Sequence, residues 1–244
     1  MDSKDNNFIE TLKEHLGVEI NDGWVLQKRN ILFEGMDDII YFNATFKGIM
    51  GHSLPASNIS CDSSQNMPNF TEFINQKISN EKLKKGSLIC LLDNDDAGRK
   101  SFNQIKSKSF VTPLKTVSMY LSSTDNKNDS YPSMMEDSII PEIFFEAVLS
   151  FLKRKNTKFK LNKYSFSDFF NERKKAKRTP MPEFLDNYFD SEIKKFKNFS
   201  FTYLGIKFGL SLEYQEIISD KKSVDLNALK SKYGSLVHFL NKFI

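Results

Sequence analysis

The sequence predicts an α/β protein whose mainly parallel sheet is flanked by helices, followed by a basic α-helical C-terminal subdomain. Three observations carry that prediction. Short apolar, β-rich runs alternate with stretches of helical apolar spacing as far as residue 152, the pattern of βαβ units. Beyond that point the periodic stretches are helical. The charge also changes sign: residues 1–150 hold 15 Lys+Arg against 21 Asp+Glu, whereas 151–244 hold 20 against 10, so a net charge of +4 conceals an acidic part followed by a basic one. With 244 residues, 39% of them hydrophobic, the chain can bury the core of one large domain or of a medium domain with an appendage. The expected division is an N-terminal helical segment over 1–24, a sheet-bearing domain over 25–152 and the basic subdomain over 153–244.

The elements are read in order. Phe8, Ile9, Leu12, Leu16 and Val18 mark a short amphipathic helix over 8–18. "WVLQKRNILFEG" (24–35) ends in a β-rich triplet and a glycine, and "DDIIYFNATF" (37–46) resumes with a helical face. Gly, Ser, Asn and Pro make 48–68 a loop with one short strand near "HSLPASNIS", before a helix at 69–79. "GSLICLL" (86–92) is a strand, 97–106 a helix with Phe102 and Ile105 on one side, and 114–122 a further strand. A polar loop over 123–133 leads to an apolar helix at 139–152 with Pro141 in its first turn. From 153 to 180 the chain carries 11 Lys+Arg against two acids with Phe and Tyr interleaved, and 181–244 reads as helical. No internal repeat occurs.

Composition excludes several classes. Two cysteines, Cys61 and Cys90, build neither a disulfide framework nor a zinc cluster and suit a reducing cytoplasm. The first residues lack the basic and apolar regions of a signal peptide, and no apolar run approaches the roughly 18 residues of a membrane span. A cytoplasmic protein without membrane association is expected. His15, His52 and His238 are scattered and are given no role.

The most informative stretch is "LICLLDNDDAGRKSF" (88–102), where Asp93, Asp95 and Asp96 follow an apolar run. Residues just beyond the carboxyl end of a strand in a parallel sheet line the crevice where ligands bind. Carboxylates gathered there repel one another unless a hard cation such as Mg²⁺ or Mn²⁺ joins them. Residues i and i+2 leaving a strand can face one side and share one ion. An EF-hand starting at Asp93 fails, because Gln104 stands where its glutamate belongs. A haloacid-dehalogenase phosphatase would need a different run after the second aspartate, and a response-regulator receiver would need an acidic pair at the end of an earlier strand. A helix N-terminus decorated with acids that favour its dipole is the bland alternative.

A second motif discriminates. "NILFEGMDDIIYF" (30–42) has a β run, then Glu34-Gly35, two spacers and Asp38. Together with Asp93, Asp95 and Gly98, these residues resemble the Toprim domain, the metal-binding catalytic module shared by type IA and II topoisomerases, bacterial primases and OLD-family nucleases. The pattern is a strand ending in Glu-Gly and a later strand ending in Asp-x-Asp-x-x-Gly, and the resemblance spans about residues 26–150. It implies a Rossmann-like Toprim fold for 25–152. Glu136-Asp137 in "MMEDSIIPEIFF" look like the Glu-Asp segment that OLD-family enzymes place in the same order, although an acid pair capping a helix reads equally from the residues.

The resemblance implies a two-metal phosphodiester site. Asp93 and Asp95 would hold one Mg²⁺ or Mn²⁺, with Glu34 a shared ligand or the base for the attacking water, Asp38 a further acidic group, and Glu136 with Asp137 serving a second ion. Lys207 in "YLGIKFGLS" is the candidate that neutralises the scissile phosphate, against its reading as a solvated helix lysine. The basic run supplies candidate nucleic-acid contacts at Lys153, Arg154, Lys155, Lys158, Lys160, Arg173, Lys174, Lys175, Lys177 and Arg178. Its aromatics could stack bases or simply form core. The function implied is a metal-dependent DNA endonuclease, an effector in anti-phage defence. Such systems pair Toprim with an ATPase, and this sequence holds no G-x-x-x-x-G-K-[ST] loop, so the ATPase would be a separate partner protein. The alternatives are a Toprim ribonuclease toxin acting on tRNA or other structured RNA, and a non-catalytic scaffold binding nucleic acid or a partner.

Overall fold

The structure, a computed structural model, describes residues 26–80, 87–108, 115–120, 132–155, 163–176, 178–193, 203–221, 226–241 and 243. The expected helix over 8–18 and nearly all of the loop over 123–133 lie outside them. Two compact units are formed. The first comprises residues up to Met36, Pro55–Leu92 and Asp96–Tyr120; the second comprises Asp37–Leu54, Asp93–Asp95 and Leu121–Ile244.

The first unit is the α/β part. Its strands are β1 (Arg29–Phe33), β2 (Ser57–Ser60), β3 (Ser87–Leu92) and β4 (Lys115–Tyr120), all parallel in the order β2-β1-β3-β4. Leu32 lies opposite both Ile59 of β2 and Cys90 of β3. Parallel strands need long crossovers. Helix α2 (Met67–Asn80) joins β2 to β3, and α3 (Asp96–Ser107) joins β3 to β4. Leu32, Ile59, Leu88, Cys90 and Leu92 pack with Met67, Phe70 and Ile74 of α2 and with Ile105 of α3 in one buried cluster. The residues of alternate parity, Ile31, Phe33, Ile89 and Leu91, are buried as well. That explains why β1 and β3 read as unbroken apolar runs, since strands buried on both faces show no alternation. The arrangement is compatible with a Rossmann-like fold.

The second unit is helical. Helix α1 (Met36–Met50) begins in the acidic Asp37-Asp38 pair and contributes Tyr41, Phe42, Thr45 and Phe46 to the core. A 3₁₀ turn at Met135–Ser138 precedes α4 (Pro141–Lys155). The apolar helix expected from residue 139 therefore starts at Pro141, whose ring fits a first helical position and biases the preceding residues to extended backbone. Then follow α5 (Phe166–Lys175), α6 (Met181–Ile193), α7 (Tyr203–Asp220), α8 (Leu226–Lys232) and α9 (Gly234–Asn241).

Helix α7 is the centre of this unit. An added Cβ on Gly209 would stand 2.7 Å from a ring carbon of Phe151 in α4, and one on Gly48 of α1 would stand 2.6 Å from Ile218 in α7. These two glycines therefore let α1 and α4 approach α7 closely. The unit boundary also differs from the division expected at residue 153. Both α1 and α4 belong with the C-terminal helices, because their apolar faces pack there.

Candidate functional site

Because β1 and β3 are adjacent and parallel, the chain leaves both at the same edge, passing from β1 into Glu34-Gly35 and from β3 into Asp93. Glu34 belongs to the first unit and is half-buried. Asp96 belongs to the first unit as well, whereas Asp37, Asp38, Asp93, Asp95, Glu136 and Asp137 belong to the second.

There, four carboxylates from three separate stretches meet one lysine. Lys207 Nζ lies 2.6 Å from an Asp37 oxygen, 3.2 Å from Asp38 Oδ1 and 3.9 Å from Glu136 Oε1. Asp93 is the fourth acid that acts on Lys207 electrostatically. The contributing elements explain the convergence. Asp37 and Asp38 occupy the first turn of α1, where the helix dipole favours negative charge. Asp93 is fixed by its Oδ1, which accepts the backbone N–H of Met135 at 3.1 Å. The adjoining Asn94 pairs its backbone with Ser133, so the 3₁₀ turn bearing Glu136 is tied to the chain that follows β3. Tyr203 and Lys207 stand four residues apart on α7 and therefore share a face. The Tyr203 hydroxyl donates to Glu136 Oε1.

The site is largely buried and rich in carboxyl groups. Asp38, Asp93 and Glu136 are buried, and the Lys207 side chain is 19% exposed. Burial works against the Lys207 ammonium, but Glu136, Asp38, Asp37 and Asp93 outweigh it and hold the lysine well above its ordinary range. Burial raises the Glu136 carboxyl above its ordinary value, opposed by Lys207 and by the Tyr203 hydrogen bond. Tyr203 and Tyr41 are pushed well up, chiefly by burial and then by the Glu136 charge. The Asp37 charge adds a smaller upward push on Glu136 to that of burial.

The donors are all carboxylate oxygens, the ligand type that a hard divalent cation takes. Glu136 Oε2 is buried and has no hydrogen-bond partner. Among the described residues, no group of three or more His, Cys, Asp and Glu is arranged to hold a metal ion. The cation among these acids is Lys207.

Asp137 stands apart from its neighbour Glu136. Its Oδ1 accepts from Nε and Nη2 of Arg173 at 3.2 and 2.8 Å, and its Oδ2 accepts the backbone N–H of Met134 at 3.0 Å. Both oxygens are thus engaged in holding the turn, the capping role that the sequence left open for the pair. Arg173 also donates from Nη1 to the carbonyls of Ala176 and Thr179 and lies over the Phe184 ring. This guanidinium faces inward. Lys207, in contrast with its solvated reading, is a half-buried partner of acids.

The remaining predicted residues divide by exposure. Asp95 is half-buried, and Asp96 is exposed and paired with Arg99. Lys153, Arg154, Lys155, Lys174, Lys175 and Arg178 are exposed, although Arg154 reaches Glu213 and Lys175 reaches Glu172. Lys158, Lys160 and Lys177 lie outside the described residues. Of the aromatics in the basic run, Phe169 is core, whereas Phe166 and Phe170 are half-buried and stacked at 5.4 Å.

Sequence reasoning missed Asp37, Tyr203 and Tyr41. A signal existed for Tyr203: Tyr203, Lys207, Ser211 and Tyr214 recur along one stripe of α7. The Tyr214 hydroxyl likewise meets Thr45 Oγ1 at 2.8 Å and accepts the Ile140 N–H at 3.2 Å.

Tyr203→Phe is expected to raise the Glu136 pKa further, since the lost hydrogen bond favours the ionised carboxylate. The folded value of Glu136 already exceeds its unfolded one, so ionised Glu136 costs stability as pH rises through and above the carboxylate range. Chemical denaturation from pH 4 to 8 should show the variant losing more stability than the wild type toward neutral pH, by about 1–3 kcal/mol for a buried acceptor left unsatisfied. Equal losses across that range would remove Tyr203 from the site.

No family model, curated protein or solved structure matches the chain.

Proposed function

We propose that this protein is a Toprim-type, Mg²⁺- or Mn²⁺-dependent nuclease that hydrolyses phosphodiester bonds of DNA. The observation that carries the reading is the gathering of Asp37-Asp38, Asp93 and Glu136 around Lys207 in one helical unit, although the three stretches lie about 40 to 100 residues apart in sequence. A buried acid surplus costs stability, and functional sites are where such costs are retained.

In this reading Asp93, Asp95 and Glu34 would hold one divalent ion and Glu136 the second. The ions would supply an acidified water and charge stabilisation at the leaving oxygen. The protein's own groups do the rest. Alternatively Glu34 would serve, in place of that ligand role, as the base that takes a proton from the attacking water. The Lys207 ammonium offsets charge on the scissile phosphate. Tyr203 fixes the Glu136 carboxylate, and the Asp137–Arg173 pair fixes the turn that presents it. The exposed Lys153, Lys155, Lys174 and Arg178 contact backbone phosphates, which makes binding salt-dependent. A separate ATPase as activating partner belongs to the same proposal.

The test is cleavage of plasmid DNA and of total tRNA with Mg²⁺ or Mn²⁺, comparing wild type with Glu34→Ala and Asp93→Ala. DNA cleavage abolished by both substitutions supports the proposal. Cleavage of tRNA alone would identify a ribonuclease toxin, and cleavage of neither substrate a binding scaffold.

A further inference from the structure

Helix α4 carries a second surface that the candidate site does not use. Glu142, Glu146, Leu149, Ser150, Lys153 and Arg154 recur at intervals of three and four, so they form one stripe along about 18 Å of the helix. Together with Phe166 of α5 they line a groove. The opposite face of α4, with Phe144, Ala147, Val148 and Phe151, is buried. The stripe is ordered by charge. Its acids fall in the first two turns, Leu149 and Ser150 hold the middle, and its cations fall in the last turn. A polyanion laid along it would meet cations at one end and carboxylates at the other. Turned end for end, however, the stripe is its own complement, which is the property a twofold interface demands of the patch it joins.

We propose that α4 pairs antiparallel with the α4 of a second copy of this chain. The twofold axis passes near Leu149 and Ser150, and Glu146 of each copy faces Lys153 of the other. The uncharged middle lets the two helices approach, while the charged ends fix their direction. The ion pairs within one copy leave room for this. Lys221 reaches Glu146 at 2.6 Å with both side chains about half exposed, and Lys232 reaches Glu142. Such exposed pairs are worth about 0–1 kcal/mol, so their carboxylates are readily shared with a further cation. Arg154 holds Glu213 at 2.6 Å while remaining 58% exposed, and a guanidinium has five N–H donors to divide between partners. The pairing is independent of whether any phosphodiester bond is cut, except that it turns Lys153 from a phosphate to a carboxylate of the second copy.

The experiment is sedimentation equilibrium on the full chain, in EDTA and without nucleic acid. It compares wild type, Glu146→Lys, Lys153→Glu, an equimolar mixture of these two variants, and the double variant Glu146→Lys/Lys153→Glu. Both positions are exposed. Wild type should be a dimer at micromolar concentration. Each single variant sets like charges against each other twice, once on either side of the axis, and should dissociate at least about tenfold more readily. The mixture should associate again, because every altered position then faces the opposite charge. The double variant reverses the polarity of the stripe and should recover to within about threefold of wild type. These two recoveries separate a lost interface from a variant that merely folds poorly.

A wild type that stays monomeric at about 100 μM overturns the inference. So do single variants that dimerise as wild type does, and recoveries that fail in both the mixture and the double variant. A monomeric wild type whose binding to a single-stranded oligonucleotide weakens in Lys153→Glu gives the groove to nucleic acid instead. The two readings fail separately: a dimer that cleaves neither substrate sinks the nuclease alone, and Asp93-dependent cleavage by a monomer sinks the dimer alone.

Discussion

Asp93→Asn is expected to lower metal-dependent DNA cleavage by about 10³-fold or more while leaving the fold intact. The substitution keeps the geometry. Asp93 Oδ1 accepts the Met135 N–H at 3.1 Å, and an asparagine carbonyl oxygen can accept the same bond. What disappears is one unit of negative charge at a buried position beside Lys207. A hard cation depends on that charge, since its oxygen ligands bind most strongly when ionised. Asp96→Asn is the matched control. Its carboxylate is exposed and paired with Arg99 three residues on, so cleavage should stay within about twofold of wild type, as befits a surface ion pair. Initial rates on supercoiled plasmid check both, and comparable losses at the two positions would mean that the acids act only through overall charge.

Arg173→Ala should be among the most destabilising substitutions in the second unit, at about 3–5 kcal/mol. Arg173 is 11% exposed and its partner Asp137 is 8% exposed, so truncation strands a buried carboxylate. It also removes the donor to two backbone carbonyls and the cation over Phe184. Lys174→Ala provides the contrast. Lys174 is exposed and its ammonium lies over the Phe170 ring at 4.5 Å. Its loss should cost little stability, and if it contacts a phosphate it should reduce the salt dependence of DNA binding by about one unit of slope. Urea denaturation separates the pair, and a small effect of Arg173→Ala would return that residue to the nucleic-acid surface.

Much of the sheet-bearing part was legible because its signals are local. β1 and β3 are apolar runs closed by Glu-Gly and Asp-x-Asp, and each is followed by a helix with its own periodicity. Helix α5 was legible in principle but was not read. Ser165 and Asp168 form an S-x-x-D cap in which Ser165 Oγ accepts the Asp168 N–H at 3.1 Å and donates to the Asp168 carboxylate at 2.7 Å. The density of lysine and arginine masked it.

The tertiary facts were not legible. Nothing local says that α1 and α4 pack with C-terminal helices, because an apolar helix face does not name its partner. The same holds for Asp137, whose letters equally suit a ligand and a cap. Lys207 was found only through family resemblance, and Tyr203 was missed because the stripe it shares with Lys207, Ser211 and Tyr214 does not say which groups those polar tips meet.

The proposed function requires acids from separate stretches of the sequence to share divalent ions. Crystals soaked in Mn²⁺ and measured at the manganese absorption edge test that most directly. Anomalous peaks within bonding distance of Asp93 and Glu136 oxygens, with Glu34 reaching one of them, are the predicted result. Peaks confined to surface carboxylates, with Lys207 still seated between Asp37 and Asp38, would contradict it.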